Sequence, residues 1–392
     1  MEQSRLGRRW VEVAPRTSRA RRRPLIGWSL GLAAMCALAA CGEATPDATQ
    51  DGKVLNLYTW AEYFPSSVID EFEAETGIKV NYSTLDSNDV AETTLSAGHS
   101  GFDLVTVNAS PHLGRQIPKG LWLPLDLAKI PNRGHLDPKL LEIMRGVDPD
   151  NRYAIPYVWG TTGIIFNPDK ILAIMPEAPV DSLAMIFQPD IAARFQQCGI
   201  SVLDSWVDIL PMISLFLGRK ELDTEPATLA RISDVFARVR PFIRRINTPG
   251  YYDQLARGEL CLAIGYSADA MAAQRLAVQL RTGIHLQYRQ PLEGIPMYID
   301  AFAIPADSRH VTAALKFIDF VLRPKVAVEL AQATSFAIAN ATAIARLSPE
   351  LRNNPMVYPT ASARSRLLLD RPFSMEQTRL LSRTWLRMKT GH

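Results

Sequence analysis

An aromatic residue recurs one to three positions from an acid in this chain. Trp60 and Tyr63 flank Glu62, Trp206 precedes Asp208, Tyr266 precedes Asp269, and Tyr298 precedes Asp300. Such pairs suit an organic ammonium ion. A carboxylate makes charge-assisted hydrogen bonds worth about 1.5–3 kcal/mol each. An aromatic face adds roughly 0.5–2 kcal/mol and also packs methylene groups. A single pair is more often a core aromatic beside a surface charge, so the argument needs several of them to converge on one cleft.

Catalytic constellations are missing from the same sequence. The six histidines (His99, His112, His135, His285, His310 and His392) have no His, Cys or Glu at metal-ligand spacing. Gly265-Tyr266-Ser267-Ala268-Asp269 lacks the second glycine of a nucleophile elbow, and no glycine-rich phosphate loop occurs. The expectation is therefore a binding protein without cofactor or metal, and not an enzyme.

The elements that must position these pairs begin at Val54–Trp60, whose alternation predicts a strand. A helix follows from Pro65 to Gly77, then a strand at Ile78–Tyr82, a helix around Val90–Ala97 and a strand at Phe102–Val107. This β-α-β-α-β order predicts a mostly parallel sheet covered by helices, with ligand beyond the carboxyl ends of the strands. Trp60–Tyr63 and Asn108–Ser110 stand at those ends. Further on, Ala154–Asn167 reads as an extended crossing segment. Helices are expected around 208–216, 226–239, 310–322 and 325–333, and strands at 260–265 and 297–304. The length of 392 residues, 47% of them apolar, allows two lobes.

The N-terminus carries different information. Eight arginines fall in the first 23 residues and lead into an apolar run from Pro24 to Ala40, too short to span a membrane comfortably. Leu38-Ala39-Ala40-Cys41-Gly42 resembles the lipobox of bacterial lipoproteins. That implies removal of residues 1–40, lipidation of Cys41 and a flexible tether over 41–52. Without residues 1–40 the formal charge turns from +3 to about −3, since eight basic but only two acidic side chains are lost. No basic patch remains to argue for nucleic acid. Cys198 and Cys261 are then the remaining cysteines, and in an exported chain a disulfide is the more frequent state of such a pair.

Several of these strings resemble the periplasmic polyamine-binding proteins of ABC importers: Leu57–Tyr63, Thr76–Val80, Gly101–Val105 and Tyr153–Tyr157. Cys198–Ser201 and Cys261–Gly265 resemble most the putrescine-binding branch. The resemblance runs from about Val54 to Trp385. It implies a two-lobed α/β fold of the type II periplasmic binding-protein kind, each lobe a mostly parallel sheet flanked by helices, with the ligand cleft between them. The lobes would comprise residues 53–156 with about 299–346, and 157–298 with about 347–392. It also implies a Cys198–Cys261 disulfide, a monomer, a polyamine of the putrescine or spermidine class as ligand, an ABC permease as partner, and a periplasmic location.

Carried over position by position, the ligand set is Trp60, Ala61, Glu62, Tyr63, Asn108, Ser110, Asp208, Tyr266, Asp269, Tyr298, Asp300, Phe336 and Asp370. Asp269 and Asp300 stand as the main carboxylates, and Tyr266, Tyr298 and Phe336 as the aromatic box. The chain departs from the putrescine pattern at Ala61 (usually Ser or Thr), Asn108 (Ser), Tyr266 (Trp) and Phe336 (Tyr). Glu62 resembles the spermidine branch. Asp370 replaces an uncharged residue, and an extra acid there would favour a longer or more highly charged amine. Another solute, such as a guanidino compound, an opine-like amine or a metal chelate, stays open at this point.

Overall fold

The computed structural model describes residues 52–61 and 63–391. The expected leader, Cys41, nearly all of the tether and Glu62 lie outside the described residues. Among the described residues eleven strands follow in chain order: β1 Val54–Thr59, β2 Lys79–Thr84, β3 Leu104–Asn108, β4 Ala154–Phe166, β5 Ile200–Val202, β6 Ile243–Ile246, β7 Leu262–Tyr266, β8 Gln287–Arg289, β9 Ile295–Ala303, β10 Ala337–Ile338 and β11 Leu367–Leu368. The expected β-α-β-α-β opening is present, with helices Ser66–Thr76 and Asn88–Ser96 between the first three strands. Gly77 ends the first helix in the left-handed region at φ 69°, where a residue without Cβ is unstrained, and the Ser87 side chain caps the second through Val90 N–H.

Two parallel triads form, β2-β1-β3 and β7-β5-β6. The long strands β4 and β9 complete them with antiparallel pairing. Residues 154–161 of β4 run beside β9, whereas residues 162–166 pair with β7 and β8. All 13 residues of β4 are buried, so one strand serves both sheets.

Two hydrophobic cores flank this crossing. The first gathers Phe64, Phe72, Tyr157, Phe302, Phe317 and Phe320; the second gathers Phe166, Phe187, Phe195, Trp206, Phe236 and Tyr251. Beyond residue 346, Leu347, Val357 and Tyr358 still pack in the first core, and Phe373, Leu381 and Trp385 pack in the second. Among the described residues no helix is long and apolar enough to cross a membrane.

Cys198 and Cys261 form a disulfide with a Cα–Cα distance of 5.5 Å, closing 63 positions of chain within the second core. Loop-closure entropy puts its contribution at about 4 kcal/mol in the unfolded-chain model. Cys198→Ser/Cys261→Ser is expected to lose about 2–4 kcal/mol in guanidinium unfolding; an unchanged midpoint would show that the bond constrains nothing.

Candidate functional site

The site is assembled by strand register. Antiparallel pairing sets Asn108 beside Asp300, Gly160 beside Tyr298 and Thr162 beside Tyr266. Tyr298 and Asp300, two positions apart on β9, point to one face of the strand. Gly160 and Thr162 do the same on β4. Gly160 makes room there, because a Cβ at this position would lie 2.2 Å from the Tyr298 hydroxyl oxygen. Asp208 and Asp269 both lie in the first turn of helices, Trp206–Phe216 and Ser267–Gln279, that follow β5 and β7. The partial positive charge of a helix N-terminus favours a carboxylate at such a place.

These elements bring most of the expected residues together. Asp300 is buried; the Tyr63 hydroxyl donates to its Oδ2, and Asn108 Nδ2 donates to Oδ1 at 3.2 Å. Asp208 accepts from the Tyr266 hydroxyl at 2.8 Å and from Thr162 Oγ1 at 2.9 Å. The Tyr266 and Tyr298 rings meet edge to face with centroids 5.4 Å apart, and Phe336 lies 4.9 Å from the Tyr63 ring. Asp269 receives the Tyr251 hydroxyl and acts electrostatically on Tyr266 and Tyr298, which places it against the same aromatic wall. Ser110 Oγ donates to the Asp370 backbone carbonyl, and the Asp370 carboxyl lies within electrostatic reach of Asp208 and Glu221.

Four residues singled out in the sequence make none of these contacts or lie outside the description. Ala61 is exposed, and Trp60 packs against the first core, its indole Nε1 buried without a partner. Glu62 lies outside the described residues. Trp206, whose spacing suggested a pair with Asp208, is buried in the second core against Phe373 at 5.9 Å. A helix turn sends side chains two positions apart to different faces, so Trp206 and Asp208 serve core and cleft respectively.

Burial raises three of these carboxyls, Asp208, Asp300 and Asp370. Asp300 is pushed up to about 6, countered only by the neutral donors Tyr63 and Asn108. Asp370 is pushed up to about 7 by burial and by the charges of Asp208 and Glu221. Asp208 is raised by burial against three neutral hydroxyl donors. Tyr63, Tyr266 and Tyr298 are raised well above their usual value by burial and by the neighbouring carboxyls. Buried acids whose neighbours are hydroxyls, an amide and other acids form a site that a diffusible cation would stabilise.

Sequence reasoning missed four contributors. Thr162 holds Asp208, Tyr251 holds Asp269 and accepts Tyr266 N–H at 2.9 Å, Ser267 bonds the Tyr298 hydroxyl, and Gly160 admits the Tyr298 ring. Gly160 and Gly163 inside an otherwise apolar strand were a readable sign of close approach. The others carry no local signal. Asp370 also lines a cavity of about 380 Å³, together with Val147, Lys220, Glu221, Leu222, Arg371 and Phe373 among others.

The model of the bacterial extracellular solute-binding proteins matches residues 67–359 of this chain. The chain is 38% identical over 371 residues to the putrescine-binding periplasmic protein of Escherichia coli, spanning 93% of this chain and 98% of that protein. It is 31% identical over 335 residues to the spermidine/putrescine-binding periplasmic protein of the same bacterium, 85% and 90% of the two chains. A solved structure from Listeria monocytogenes, named a spermidine/putrescine ABC transporter, superposes with a TM-score of 0.77 at 27% identity, covering 87% of this chain and all of that one.

Proposed function

The chain belongs to the bacterial extracellular solute-binding proteins, and we propose that it captures a linear polyamine between its two cores and delivers it to an ABC importer. The observation that carries this reading is the convergence of Asp208, Asp269 and Asp300 with Tyr63, Tyr266, Tyr298 and Phe336 at one place. The acids fix ammonium groups, and the rings pack the methylene chain between them. The two cores act as lobes. Ligand that touches both favours their closed arrangement by its differential affinity for it, and closure presents the surface that a permease reads. The protein works as a monomer and performs no covalent step. Cys41 anchors it by lipid at the membrane, within the compartment in which its relatives are periplasmic.

Asp370 decides ligand length in this reading. Its carboxyl lies within electrostatic reach of Asp208 and Glu221, and so offers a seat to a third positive charge. Calorimetry of the purified chain against putrescine, cadaverine, agmatine and spermidine tests both points. One-site binding of at least one diamine or triamine is expected, with Asp370→Leu weakening spermidine about tenfold more than putrescine. If none of the four gives heat of binding or a thermal shift, the polyamine reading fails; equal losses for both amines would remove the role of Asp370 alone. At a concentration one hundred times its dissociation constant, a bound amine should stabilise the fold by roughly 2.7 kcal/mol.

A further inference from the structure

Arg275 lies about two turns beyond Asp269 on the helix Ser267–Gln279, whose Ala270 and Ala273 pack in the second core. Its guanidinium reaches across to the first core. Nη1 donates to Ser335 Oγ, and Nη2 donates to the Thr334 carbonyl at 3.4 Å. These two residues close the helix Pro324–Thr334, whose Val326, Leu330 and Ala331 pack in the first core. The next residue is Phe336, which packs on Tyr63 in the candidate site. One side chain thus ties the helix that begins beside Asp269 to the turn that carries Phe336.

The backbone at Ser335 says more. It adopts φ 60°, in the left-handed region, where a glycine would be unstrained and an L-residue is strained. The hydroxyl that this conformation retains is the one that accepts Arg275. A cation is also favoured at the C-terminal end of a helix, where carbonyls lack intrahelical partners. The Thr334 hydroxyl holds the turn from within, donating to the Leu330 carbonyl at 2.7 Å and accepting Phe336 N–H at 3.2 Å.

We propose that Arg275 and Ser335 form a closing latch, a positioning pair that holds the two lobes together around bound ligand without touching the ligand. The latch rests on the two-lobed binding reading given above. The pair bridges the lobes whenever they close, with or without ligand, so it slows opening and release and leaves encounter with the open form unchanged. A net hydrogen bond of about 0.5–1.5 kcal/mol corresponds to roughly a twofold to tenfold change in release rate.

The test is stopped-flow release of putrescine and spermidine from the full chain, with melting temperatures measured in parallel, for Arg275→Ala, Ser335→Gly and the double variant. Both single variants are expected to release ligand about threefold to tenfold faster with association rates near wild type. The double variant should match the faster single one. Ser335→Gly should keep or raise the melting temperature of the ligand-free chain, since it relieves the left-handed strain, so that stability and affinity move in opposite directions. A purely structural contact would instead lower the melting temperature and leave release unchanged, which would overturn the latch. If the wild-type chain binds neither amine, the polyamine reading falls. The latch is then judged by small-angle scattering of the ligand-free chain, where Arg275→Ala must enlarge the radius of gyration and an unchanged radius overturns it.

Discussion

Asp300→Asn is expected to weaken putrescine binding roughly 10- to 150-fold while leaving the ligand-free protein at least as stable as wild type above pH 7. The first half follows from the loss of charge-assisted hydrogen bonds worth about 1.5–3 kcal/mol. Asn keeps the shape and can still accept from Tyr63, so the cavity and its packing survive. The second half follows from the raised Asp300 carboxyl, pushed up to about 6 in the folded state against about 3.9 in the unfolded chain. Between those values the folded chain holds a proton that the unfolded chain has lost. The contribution of Asp300 to stability is therefore fully present below pH 4 and lost as pH rises through 6, a penalty of at most about 3 kcal/mol at neutral pH. Asp370, pushed up to about 7, extends the same window upward.

An amide in place of Asp300 carries no such penalty. The same carboxyls make amine capture pH-dependent with the opposite sign. Cation binding needs them ionised, so affinity should rise from pH 5 to pH 8, with protons released on binding at pH 6. Calorimetry in two buffers of different ionisation heat, together with melting curves at pH 5 and 8, checks both signs. A variant that binds as well as wild type, or an affinity flat from pH 5 to 8, would remove Asp300 from the site.

Gly160→Ala is expected to reduce polyamine affinity by more than tenfold and to destabilise the fold by about 1–3 kcal/mol, the usual cost of overpacking. A Cβ at this position would fall 2.2 Å from the Tyr298 hydroxyl oxygen and 2.4 Å from its Cζ. The ring cannot stay where it is. It cannot slide freely either, because Tyr266 stands edge to face with it at 5.4 Å and Ser267 bonds its hydroxyl. The aromatic wall between Asp269 and Asp300 must therefore move as a unit. Trimming Tyr298 to Leu in the Gly160→Ala background should recover most of the stability but not the affinity. The coupling in that double-mutant cycle measures the contact directly. Independent, additive effects on both readouts would show that Gly160 is an ordinary strand residue.

Much of the scaffold was legible because it is written in local periodicity. The alternation of Val54–Thr59, the helical spacing of Val68 and Phe72, the Gly77 stop and the extended segment Ala154–Phe166, apolar on both sides of Gly160–Gly163, each encode their element within a few residues. Short or uniformly apolar elements were harder. Ile200–Val202 is three residues long, and the alanine-rich helix Ser267–Gln279 shows no single apolar stripe. No expectation covers the helix Met375–Thr390, although its Ser374–Gln377 capping box and its Leu381, Trp385 and Met388 at helical spacing carry a local signal.

By itself the sequence determined which residue types were available to hold a cation, and the elements on which they ride. Only the tertiary structure decided which of them meet. Asp208 and Trp206 are two positions apart, yet one faces Tyr266 and the other the second core. Asp300 and Asn108 are 192 positions apart, yet the β3–β9 register makes them partners. The physical reason is that a carboxyl's chemistry is set by its burial and its neighbours, and both depend on strand register and on the approach of two separate cores. That approach lifts Asp300 and Asp370 toward neutral pH and lets Arg275 reach Ser335. No spacing along the chain encodes such a meeting.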